Sequence, residues 1–331
     1  LLLTSITWAS PGMDFQPLVI SRPSQQVTKL GKNRQPLFIS NTGVLYVSQK
    51  RPQHQGPQLY FLDLATGKEK RISHQKGEVS IGMAHGGHGR FFYSSSTDED
   101  KETPFILKKY LDRFPSSVES EFFFHVDFRP QEIYSSDVDG TNIQRLTNYS
   151  GYDGFPYYHQ DKDRLYFSRW QEGKMDLFAK SLRKNLAPWK VMKTAGHDMG
   201  LQLSPDKTQF VWFRFSPDFK TSQLLLSGTH FKNPHFLTLD AGIHWNPIWH
   251  PNGKTVIYSA KIAPTNHFDL YEVSTQGECT RQLTSYDGDE FYPALSPDGK
   301  TLLFTSTQTG NEQIHKMGYP GPIDCKATDS P

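Results

Sequence analysis

Residues Glu290 to Ser306 read EFYPALSPDGKTLLFTS: a short apolar run, a tight turn and a longer apolar run. Ser296, Pro297, Asp298 and Gly299 fit the positions of a type I turn, with proline setting φ at the second and glycine taking the left-handed position that follows. Leu302, Leu303 and Phe304 follow without a polar break, as in a strand covered on both faces. The stretch is a β-hairpin.

Related hairpins recur along the chain. HPNGKTVIY begins at His250, SPDKTQFVW at Ser204, HQDKDRLYF at His159, HGGHGRFFY at His85 and a degenerate SNTGVLYV at Ser40. The six anchors are separated by 45, 74, 45, 46 and 46 residues, so one insertion accounts for the one long interval. Twelve residues before each anchor a strand ends: Val27-Thr28, Ile72-Ser73, Leu146-Thr147, Val191-Met192, Leu237-Thr238 and Leu283-Thr284. A period in the mid-forties with about four strands per unit is the signature of propeller blades. The expected fold is an all-β, six-bladed β-propeller occupying residues 16–331 as a single domain. The sixth unit lacks a fourth strand, and a strand near Val27-Thr28 has no blade before it. The N-terminal strand is therefore expected to complete the last blade and close the ring.

The 36 basic and 34 acidic residues form no long run of one sign, which argues against a nucleic-acid tract. No span approaches the roughly 20 apolar residues that cross a bilayer. Residues 1–15 read as a leader remnant or a disordered end. LLLTSITWAS resembles the tail of a secretory leader, so a periplasmic or secreted protein is expected. Cys279 and Cys325 are either a bridge tying the tail to the fifth blade or separate thiols. The long interval places an insertion at about 97–131 in blade two, with a helix expected from Thr103 and the aromatic run Phe122-Phe123-Phe124 after it.

The SPDGK turn with an LT-ending strand upstream resembles the TolB-type WD40-like (PD40) repeat, over about Val27 to Met317. The resemblance implies a non-catalytic scaffold whose propeller binds another envelope protein or peptide, as the TolB propeller binds the lipoprotein Pal. It concerns the propeller part alone, because the residues ahead of Val27 are too few for TolB's further α/β domain.

In the repeat alignment Arg34, Val79, Asp153, Asp198, His244 and Glu290 stand six residues before their anchors, where they are expected to ring the channel mouth. The insertion would rise beside that mouth, and Phe122, Phe123 and Phe124 would be either a docking patch or its packed underside. No cofactor is required, but three acids and a histidine there suit a divalent cation or a basic peptide group. The partner expected is an envelope protein or peptide bound by a monomer. The alternative is a metal-dependent carbohydrate-active enzyme like the oligogalacturonate lyases, although Gln313 and His315 have no second histidine nearby in the sequence. No GxSxG nucleophile elbow occurs, which excludes the hydrolase half of prolyl-oligopeptidase-like enzymes.

Overall fold

The computed structural model describes residues 18–19, 22–80, 89–97, 130–184 and 186–325. The insertion with Phe122 to Phe124, most of the HGGHG stretch and the leader-like residues 1–15 lie outside them. Six sheets follow one another around a ring, four of them in the order of their strands along the chain. Blade four is representative: His197–Leu203 innermost, then Gln209–Phe215, Ser222–Gly228 and His235–Phe236. Second strands are sandwiched between neighbouring blades. Hence Phe210, Val211, Trp212 and Phe213 are all fully buried, although their side chains alternate between faces.

The anchor turn forms because its serine hydroxyl has several partners. Ser296 Oγ donates to Asp298 Oδ1 at 2.6 Å and accepts the amides of Lys300 and Thr301. Ser204 repeats the pattern with Asp206, Thr208 and Gln209. Gly299 takes the left-handed conformation at φ 68°.

The LT mark has an equally local cause. Its hydroxyl donates to a residue at the start of the third strand and accepts the next amide. Ser73 does so with Gln58 and Leu59, Thr238 with Gln223 and Leu224, and Thr147 with Glu132 and Ile133. In blade three Met192 has no hydroxyl, and Lys190 instead reaches Asp176 at 2.7 Å.

Thr28 makes the same pair of bonds to Gln313 (2.8 Å) and Ile314 (2.9 Å), across almost the whole chain. It belongs to the segment after β2 (Gln25–Gln26), which pairs antiparallel with Gln313–Gly318 as the fourth strand of blade six. The ring is closed as the sequence predicts. A second closure was not legible: β1 (Leu18–Val19) pairs parallel with Thr280–Gln282 and adds a fifth strand to blade five.

The C-terminal segment docks on the same blade. Cys279 and Cys325 are bridged, with Cα atoms 5.6 Å apart, which resolves the alternative left open by their spacing. The intervening tail covers a buried ion pair, since Tyr319 donates to Glu272 at 2.6 Å while Arg281 binds Glu272 and the Gly321 carbonyl.

Candidate functional site

Strand direction defines two ends of the channel. Innermost strands start at one end, together with the loops between second and third strands, and run toward the anchor hairpins at the other.

At the strand-start end Asp153, Asp198, His244 and Glu290 occupy one register position and are fully buried. Each is held within its own or an adjoining blade. Asp153 receives both Nε and Nη2 of Arg169 at 2.7 Å, and burial still pushes its carboxyl up to about 6. Asp198 accepts from Trp212 Nε1 and Arg214 Nε, each at 2.7 Å, and from Thr194. His244 Nδ1 donates to the Ser222 carbonyl at 2.7 Å, and its Nε2 faces Asp240 at 3.0 Å. Glu290 accepts from Ser306 at 2.9 Å. Burial raises Glu290 and the neighbouring Asp269 above the carboxylate range, and Asp269 further disfavours ionisation of Glu290.

Arg34 is one residue out of step with these four. The register places Asn33 opposite Ser48, the position that Glu290 takes opposite Ser306. The cause is the degenerate first hairpin, whose turn between Phe38 and Val44 is one residue shorter than that between Leu295 and Leu302. Asn33 is buried and bonded to Gln313 and Arg51, whereas Arg34 is half-buried with Nε unpaired. Val79, at the same position in blade two, is buried. Among the described residues no three His, Cys, Asp or Glu side chains are grouped to hold a metal ion.

The hairpin end is built differently. In five innermost strands the ladder slips midway, between Arg34 and Leu37, Gly154 and Tyr157, Met199 and Gln202, Trp245 and Ile248, and Phe291 and Ala294. The residue at each slip is left-handed: Gln35, Phe155, Gly200, Asn246 and Tyr292, with φ between 49° and 67°. Four of these are not glycine, a costly conformation that persists only where surrounding structure imposes it. At Gly200 a Cβ would lie 2.2 Å from the Phe213 ring, so no larger residue fits.

The slips turn side chains toward the axis. Gln35, Phe155, Asn246 and Tyr292 border a cavity of about 570 Å³ whose walls rise past Tyr157 and Trp249 to the anchor prolines. That volume is in the range of ligand-binding pockets. Burial pushes the Tyr292 phenol up to about 12 and lowers His159, so both are neutral at physiological pH. Two buried polar atoms in the lining have no hydrogen-bond partner: Asn246 Oδ1 and His159 Nε2. At the rim Lys207 bonds Asp161 across blades three and four. Sequence reasoning missed this cup, although the proline after the left-handed residue recurs at Pro36, Pro156, Pro247 and Pro293.

Residues 186–323 match the profile of the family described as TolB beta propeller domain. Over that stretch the ring resembles a TolB β-propeller. A TolB homologue of Chlorobium luteolum is 25% identical over 182 residues, which are 54% of this chain and 34% of that protein. The chain thus spans about a third of that protein's length. A TolB candidate from Agrobacterium tumefaciens superposes with a TM-score of 0.60 at 14% identity, covering 89% of this chain and 93% of that one. An oligogalacturonate lyase solved with manganese gives 0.56 at 15%, covering 89% and 79%, a likeness of fold alone. Among the described residues no helix is long and apolar enough to cross a membrane.

Proposed function

We propose that this TolB-like propeller is a non-catalytic scaffold of the cell envelope that takes a peptide segment of a partner protein into the hairpin-end cup. The observation that carries the reading is the pair of unpartnered buried polar atoms, Asn246 Oδ1 and His159 Nε2, within aromatic and proline walls. A buried acceptor left unpaired costs about 1–3 kcal/mol, which a donor on a bound segment would recover. Aromatic and proline surfaces suit the apolar side chains of an extended peptide. The Cys279–Cys325 bridge fits an oxidising compartment such as the periplasm.

The test is capture of partners from an envelope extract by the full chain and by Tyr157→Ala and Trp249→Ala variants. Loss of the same captured protein in both variants, with thermal unfolding still cooperative, is expected. Undiminished capture by both would overturn the cup as the binding site. Deletion of residues 97–131 in parallel tests the insertion, whose expected role at the opposite face would show as loss of capture there.

A further inference from the structure

The hairpin-end cup is almost free of charge. Among the described residues that line it, the charged side chains are Asp161 and Lys207. These two bond each other at the rim, and both are more than half exposed. His159 adds no charge at physiological pH, because burial holds its imidazole below its ordinary value. Lys162 and Arg164, the further cations near that ring, are exposed and lie outside the lining.

His159 stands at an anchor position, where the side chain elsewhere serves its own turn. Ser204 and Ser296 accept amides of their turns, and His250 Nδ1 accepts the Asn252 amide at 3.1 Å. Blade three closes its turn by other means. Gln160–Lys162 form a 3-10 turn that ends at left-handed Asp163, whose N–H returns to the Gln160 carbonyl at 3.0 Å. The imidazole makes no cap bond, so an anchor residue is released to the wall of the cup. The floor shows a similar contrast: Gln35 Oε1 accepts from Ser80 at 3.2 Å, whereas Asn246 Oδ1 accepts from nothing. Trp249 Nε1 donates to the Gln202 carbonyl at 3.2 Å, which leaves its ring to offer the cup an apolar face.

We propose that the segment entering the cup is uncharged, with neither a charged side chain nor a free chain terminus over the stretch that is held. The inference deepens the peptide reading above and rests on it. A carboxylate or ammonium carried past the rim would leave water for a lining whose one ion pair already satisfies itself. Burying a charge without a partner lowers affinity by at least about a hundredfold. Neutral apolar side chains match the aromatic and aliphatic walls, and a backbone N–H supplies the donor that Asn246 Oδ1 lacks.

The experiment is selection of random dodecapeptides displayed on phage by the immobilised full chain, followed by affinities of synthetic peptides with acetylated and amidated ends. Peptides lost by the Trp249→Ala variant are expected to share a run without Asp, Glu, Lys or Arg. One Lys placed in that run should weaken binding by at least about a hundredfold. Gln202→Glu, which adds a carboxylate to the half-buried lining in blade four, should recover at least about tenfold of that loss, and His159→Asp should do so from blade three. Either variant that still unfolds cooperatively decides this arm. Selected runs that carry a charged residue, a Lys substitution without effect, or folded variants that do not favour the Lys peptide would overturn the inference and leave the peptide reading in place. Selection of no peptide that depends on Trp249 would overturn both.

Discussion

The two ends of the channel differ in what surrounds their buried polar residues: three of the strand-start residues are tied into the blades, whereas two at the hairpin end border a cavity. Where innermost strands start, Asp153, Asp198 and His244 are buried and bonded to neighbouring strands, while Glu290 Oε2 and Arg34 Nε are left unpaired. At the hairpin end Asn246 and His159 are as deeply buried, yet each keeps one atom unsatisfied beside a cavity. A buried polar group fully bonded within the fold stabilises it, whereas one left short is a place for something else to bind. The difference separates residues that hold the ring from residues available to a ligand.

That separation is open to attack by substitution. Asp153→Ala would leave the Arg169 guanidinium buried without its bidentate partner and should cost about 3–5 kcal/mol in thermal or denaturant unfolding. Lys207→Ala at the cup rim, whose pair with Asp161 is exposed on both sides, should change the same measurement by less than about 1 kcal/mol. Equal costs would erase the contrast. Thr28→Val removes the hydroxyl that closes blade six, leaves Gln313 Oε1 with Asn33 alone and strands the Ile314 amide, and should cost about 1–3 kcal/mol.

A pH-dependent effect lies at Glu290. Its folded-state value, like that of Asp269, is raised above the unfolded one by burial, so the protonated carboxyl is what the fold favours. The associated stability is fully present in acid, below the ordinary carboxylate range, and is lost as pH rises through the folded values. Glu290→Gln should flatten the decline in stability between about pH 5 and pH 8, with a gain on the order of 1 kcal/mol near neutrality. A variant with the wild-type pH slope would show that the carboxyl is not held protonated.

The ring itself was legible because its marks are local chemistry repeated. A turn serine that binds its own loop and an LT hydroxyl that ties the chain back to the third strand of its own blade must recur wherever a blade does. Closure was legible for the same reason, since Thr28 is the one LT copy lacking a preceding blade. Positions six residues ahead of an anchor were legible as equivalent, but spacing carries no information about burial, and Asp153 turned into the blade stack. Arg34 stood in for Asn33 because blade one's hairpin is a residue short. Pro36, four residues before Ser40 where Pro293 lies three before Ser296, is the sign that would have fixed the register. The added strand β1 left no such mark, because a two-residue parallel pairing requires no particular side chain.

The most direct measurement is site-specific photo-crosslinking of the full chain in an envelope extract, with the crosslinker at Lys207 on the hairpin rim or at Leu239 near the strand starts. Partner adducts from position 207 and none from 239 are predicted. Adducts from 239 with none from 207 would contradict the assignment of the cup as the binding end.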